Sequence, residues 1–104
     1  MQDLTYTAAD GLQVILSAHT WAHIRQRHPE VTLADIDRAL TQAVRICHHR
    51  EYPEQQIYEG PPGTTGHGPR VFPVVIVERR QNQTGVVVTA RVSRRPYRGG
   101  QRWP

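Results

Sequence analysis

The stretch Trp21-Ala-His-Ile-Arg-Gln-Arg-His-Pro-Glu30 places two histidines and two arginines beside a tryptophan. His19, His23 and Arg27 recur at four-residue spacing, so a helix aligns them on one face. Trp21, Ile24 and His28 fall on an adjacent, mostly apolar face able to anchor that helix. An imidazole next to a fixed guanidinium is the combination that proton transfer at a phosphate requires. His23 is therefore the first candidate for a general base or acid, with Arg27, one turn on, as the clamp for the phosphate. Thr89, far along the chain in Val-Val-Val-Thr-Ala, has a hydroxyl suited to hydrogen-bond a phosphate oxygen.

Elements must position these groups. Leu12–Leu16 reads as a short strand after the turn signal Asp10-Gly11. Ser17 is an N-cap for a helix to about Arg27, because Pro29 disfavours helical geometry at His28. Thr32 caps a second helix, with Asp35 as its capping-box partner. Leu33, Ile36, Leu40 and Ala43 recur there at amphipathic spacing. An extended segment begins at Val44-Arg-Ile46, and Ile57-Tyr58-Glu59 is a brief strand. Val71–Val77 and Val86–Val92 are the strongest strands, and their continuous apolar runs suit central positions covered by helices. Pro73 implies an edge or a bulge at the start of the first. The expected fold is α+β: two N-terminal helices packed on a small, mostly antiparallel sheet of about four strands. Residues 1–104 form one domain, with an N-terminal arm at 1–11, a Gly/Pro-rich hairpin loop at 60–70 and a basic, aromatic tail at 94–104.

Charge suggests a partner. All thirteen basic residues are arginine against nine acids, and the net charge is +4. Every acid but Glu78 precedes Gly60, whereas Arg70, Arg79, Arg80, Arg91, Arg94, Arg95, Arg98 and Arg102 follow it. Arginine's planar fork binds phosphate bidentately and stacks on bases. Tyr97 and Trp103 lie among Arg94, Arg95 and Arg98, and with Arg91 they form a candidate surface for single-stranded RNA. Trp103 has a second reading, as a plug folded back on the sheet. No apolar run approaches the roughly 18 residues of a membrane helix, and the start Met-Gln-Asp-Leu-Thr-Tyr lacks the regions of a signal peptide. The single Cys47 excludes an internal disulfide framework and fits the cytoplasm. Its neighbours His48 and His49, with His67, raise the question of zinc, but their spacing matches no standard site, and no metal or cofactor is expected.

The order Trp21-x-His23-Ile24-x-x-Arg27-His28-Pro29-Glu30, second helix, Ile57-Tyr58, Val74-Val-Ile-Val77 and Val87-Val-Thr-Ala90 resembles small bacterial and phage-associated nuclease domains of the barnase/EndoU/colicin/RelE-like superfamily. The resemblance spans residues 13 to 104. It implies helices followed by an antiparallel sheet, a metal-independent endoribonuclease that often acts as a toxin, and His23, Arg27, His28 and Thr89 as the catalytic set. It also implies an acidic antitoxin or immunity protein as a partner beside RNA. A toxin domain delivered from outside would carry the same single cysteine.

RNA supplies its own nucleophile, the 2′-hydroxyl. Cleavage to a 2′,3′-cyclic phosphate then needs a base, an acid and cations around the phosphorane. Each residue also has a plainer role. His28 suits closing the helix as well as catalysis, Arg27 suits an ion pair with Glu30, Thr89 suits a strand, and Trp21 suits the core. The alternative to an enzyme is a catalytically inactive RNA-binding or regulatory module on the same scaffold.

Overall fold

The computed structural model describes residues 1–103, with 101–103 described by backbone alone. Two strands come first: β1 (Leu4–Thr7) and β2 (Gln13–Leu16) form an antiparallel hairpin around Asp10-Gly11, where Gly11 takes a φ of 92°. Helices α1 (Ala18–Arg27) and α2 (Leu33–Thr41) follow. Then come β3 (Arg45–His48), β4 (Gln55–Glu59), β5 (Phe72–Arg79), β6 (Thr84–Ser93) and β7 (Gln101–Trp103). All seven strands belong to one sheet, in the order β1-β2-β6-β5-β4-β3-β7. Every pairing is antiparallel except β2 with β6.

This overturns the expectation of two N-terminal helices on a sheet of about four strands. The segment expected to be an arm is instead strand β1, because the Asp10-Gly11 turn folds it back onto β2. β7 arises in a polar tail whose backbone pairs with β3. The sheet is mixed because β2 and β6 lie parallel, joined through both helices and three intervening strands.

The helices form where their caps predict. The Ser17 hydroxyl accepts from the Thr20 amide at 3.0 Å, and the His28 amide closes α1 on the Ile24 carbonyl at 2.7 Å. Thr32 and Asp35 make a reciprocal capping box, with bonds of 3.1 and 3.0 Å. Both helices cover one face of the sheet. There Ile24, Ile36, Ala39 and Leu40 pack on Val14, Leu16, Tyr58, Val75, Val77, Val87 and Ala90.

The opposite face carries a second, smaller cluster of Ile57, Phe72, Val74 and Ile76, with Tyr97 packed against it. The continuous apolar run of β5 is thus buried on both sides, by helices on one and by the returning C-terminal tail on the other. β5 is central, yet Pro73 fits. Its ladder with β4 ends at Glu59–Val74, so the missing N–H falls beyond the last pair, where the Pro73 carbonyl accepts from the Gly60 amide at 2.9 Å. Gly60 itself has no room for a side chain: a Cβ there would stand 2.8 Å from the Pro73 ring and 3.0 Å from the Ala39 backbone. Among the described residues no helix is long and apolar enough to cross a membrane.

Candidate functional site

Helix α1 buries Ile24 and turns His19, Ala22, His23 and Gln26 to solvent. Its arginines Arg25 and Arg27 are exposed too, with Arg25 lying 5.8 Å over the Trp21 ring. Trp21 is partly buried against the main core. Thr89 stands on the other side of the sheet. It pairs with Ile76 of the second cluster, while its neighbour Ala90 pairs with Val75 in the main core. The structure therefore does not bring His23 and Arg27 together with Thr89, because the sheet lies between them.

His28, by contrast, leads to a cluster. Its Nδ1 lies 3.5 Å from the Glu30 carboxylate, so Glu30 serves His28 where an ion pair with Arg27 was also open. The Glu30 carbonyl in turn faces His67 Nε2 at 3.3 Å. A carbonyl only accepts, so a hydrogen bond here requires the tautomer with its proton on Nε2, in which Nδ1 is the ring's acceptor. His67 lines two adjoining hollows. One, of about 360 Å³, is shared with Arg70, Arg94 and Arg95; the other, of about 270 Å³, with Val92, Ser93 and Arg94. None of their lining side chains is acidic.

Local chemistry explains why these groups meet. The Gly/Pro-rich loop is tied down, not a free linker. Arg38, itself 3.6 Å from the buried Asp35, donates to the Thr64 carbonyl at 2.9 Å. The Gly63 amide bonds the Val71 carbonyl at 2.9 Å, and the Thr64 hydroxyl bonds the Pro61 carbonyl at 2.7 Å. Glycines at φ of 82°, 80° and 126° (Gly63, Gly66 and Gly68) let the loop turn back and present His67. At the end of β6 the Ser93 hydroxyl donates to the Arg95 carbonyl at 2.9 Å and accepts from the Arg95 amide at 3.2 Å. That turn sets Arg94 and Arg95 beside the loop.

The rest of the basic tail divides. Arg91 is half-buried on the Thr89 face, opposite Val74, and Arg94, Arg95 and Arg98 are exposed. Tyr97 is an anchor. Its amide donates to Glu59 Oε2 at 2.9 Å, its carbonyl accepts from Arg45, and its hydroxyl accepts from the Arg50 amide at 2.8 Å. Arg45 and Glu59 pair at 3.1 Å beneath it, with Glu59 only 3% exposed. Gly99 is required here, since a Cβ would stand 2.3 Å from the His48 carbonyl oxygen. The Trp103 side chain, named as an RNA contact, lies outside the described residues.

Cys47 is buried on the Arg45–Glu59 face. Burial pushes its thiol above the usual value, the Glu59 charge adds to that, and Arg45 opposes it. The thiol therefore stays protonated at neutral pH. Because its folded pKa is raised, its share of stability is whole below the ordinary thiol pKa and declines as pH rises beyond it. Alkylation by iodoacetamide at neutral pH is expected to be slow in the native protein and fast in urea; equal rates would contradict this placement. Among the described residues no three His, Cys, Asp or Glu side chains gather closely enough to hold a metal ion.

The sequence marks His67 only through the question of zinc, and it does not mark Arg45 and Glu59 as a pair. The signal for His67 was its setting in Gly66-His67-Gly68-Pro69-Arg70, a histidine and an arginine carried by a chain free to take unusual turns. No family model matches the chain, and no curated protein or solved structure matches it.

Proposed function

We propose that this chain is an endoribonuclease that holds a single RNA strand across the cleft of His67, Arg70, Arg94 and Arg95. The observation that carries the reading is that one histidine and three arginines line a single open hollow whose lining includes no acidic residue. Histidine titrates near neutral pH, and arginine matches phosphate geometry. His67, with Nδ1 free to accept, takes the 2′-hydroxyl proton. The 2′-oxygen attacks phosphorus, the arginines hold the equatorial oxygens of the phosphorane, and the 5′-oxygen leaves with a proton. His28, oriented by Glu30, is the donor of that proton. The nucleophile belongs to the substrate, so the groups named suffice and the products are a 2′,3′-cyclic phosphate and a 5′-hydroxyl.

The roles first expected of His23, Arg27 and Thr89 pass in this reading to His67, Arg70, Arg94 and Arg95, with His28 linked to His67 through Glu30. An acidic antitoxin or immunity protein, if the domain acts as a toxin, would sit on the same arginines and compete with RNA. The test is incubation of pure protein with a defined oligoribonucleotide in chelator, with mass analysis of fragment ends. Cyclic phosphate ends support the enzyme. Intact RNA bound in a salt-sensitive way overturns the catalytic part and leaves an RNA-binding module.

A further inference from the structure

A further hollow, of about 170 Å³, shares no lining residue with the cleft. Val44, Phe72, Pro62 and Pro96 form its walls, above the Arg45–Glu59 pair. The paired charges do not open it to polar contact. The Glu59 carboxylate is occupied by Arg45 and the Tyr97 amide, and Arg45 by Glu59 and the Tyr97 carbonyl. The hollow is smaller than the range of about 300–1,000 Å³ typical of drug-sized ligands, so it suits a single flat ring system. Its rim is also held in place. Pro96 belongs to the tail clamped at Tyr97, and Pro62 to the loop fixed by Gly63 and Thr64. A rim already ordered loses little freedom on binding.

Its position says what the ring is attached to. Arg95 lines the phosphate cleft and Pro96, the next residue, lines this hollow, and adjacent Cα atoms are about 3.8 Å apart. Val71 and Phe72, at the entry to β5, repeat the arrangement: Val71 lines the cleft and Phe72 the hollow. An apolar slot lined by the chain neighbours of residues that line the arginine cleft fits a molecule with a flat apolar body joined to a phosphate. We infer that this slot holds one base of the RNA strand whose phosphate lies against Arg94 and Arg95. The inference rests on the proposed RNA reading and adds a base subsite to it. With no polar group facing inward, the slot selects by shape and stacking, so it takes a base without reading its hydrogen-bonding edge.

Val44 is half exposed, at 51%, so a larger side chain there fills the slot without disturbing the core. The experiment measures binding of a 2′-O-methyl oligonucleotide, which cannot be cleaved, and of the same backbone without bases. Val44→Phe is expected to weaken binding of the base-bearing strand by about tenfold and to leave the baseless strand unchanged. Independently, wild-type protein irradiated with a 4-thiouridine oligonucleotide is expected to crosslink in peptides containing residues 44, 62, 72 or 96. Unchanged affinity in Val44→Phe, or crosslinks confined to α1 or β2, overturns the slot while leaving the cleft reading in place. Failure of wild-type protein to bind either strand overturns both. Binding of an acidic apolar peptide in the slot in preference to RNA overturns the choice of occupant.

Discussion

His67→Ala is expected to lower RNA cleavage by about 10²- to 10⁴-fold, the range for removing a positioned general base or acid. The fold should not change. His67 is exposed, and the loop that carries it is secured by Arg38 on Thr64, by Gly63 on Val71 and by Thr64 on Pro61. The ring's own bond, to the Glu30 carbonyl, is a single surface contact. His23→Ala is the informative control. His23 faces solvent on α1, across the sheet from Thr89, and its loss should leave the rate within a few-fold. A large loss from His23→Ala with little from His67→Ala would return the chemistry to α1. His28→Ala, at the other end of the Glu30 contact, should fall with His67→Ala when the leaving group is a poor one and recover when it is activated.

The largest effect on stability should come from Glu59→Ala. Glu59 is buried, accepts from Arg45 and holds the Tyr97 amide. Its removal strands the Arg45 guanidinium in a poorly solvated place and releases the tail from the sheet. Breaking a buried pair on one side costs about 3–5 kcal/mol, a large part of the roughly 5–15 kcal/mol that holds a domain of this size. Glu78 and Arg80 make a useful contrast. Their contact is shorter, at 2.7 Å, yet both side chains meet solvent, with Arg80 59% exposed. Glu78→Ala should therefore cost no more than about 1 kcal/mol. Burial, not distance, decides between them. Urea denaturation of the two variants measures both values; equal losses would mean that the Arg45–Glu59 pair is effectively solvated.

Much of the scaffold was legible residue by residue. Ser17 and Thr32 cap α1 and α2 where their side chains predict, and Val74–Val77 with Val87–Val92 form the central strands. What escaped was set by partners distant in sequence. Leu4–Thr7 has no strong strand signature until the Asp10-Gly11 turn lays it on β2, and Gln101–Trp103 becomes a strand only because β3 offers an edge. The face occupied by Thr89 was not readable from Val-Val-Val-Thr-Ala, because the register shifts between Ile76 and Val77 and resets the alternation. The helix from Trp21 to Glu30 did contain part of the candidate site, at its end: His28 and Glu30 rather than His23 and Arg27. His67 meets Glu30 across 37 residues of chain, through a loop whose composition reads as a linker. Two of its arginines, Arg94 and Arg95, come from the tail, where charge bias suggests a polyanionic partner, and Arg70 comes from the end of that loop.

RNA is proposed to bind at the end of the sheet where the Gly/Pro-rich loop meets the close of β6. Titration of ¹⁵N-labelled protein with a 2′-O-methyl oligonucleotide, followed by amide chemical shifts, tests this most directly. The shifts are expected to concentrate at His67, Gly68, Arg70, Ser93, Arg94 and Arg95 and to vanish at high salt. Shifts concentrated instead at His19, His23 and Arg27, with the loop and the end of β6 unmoved, would contradict this placement.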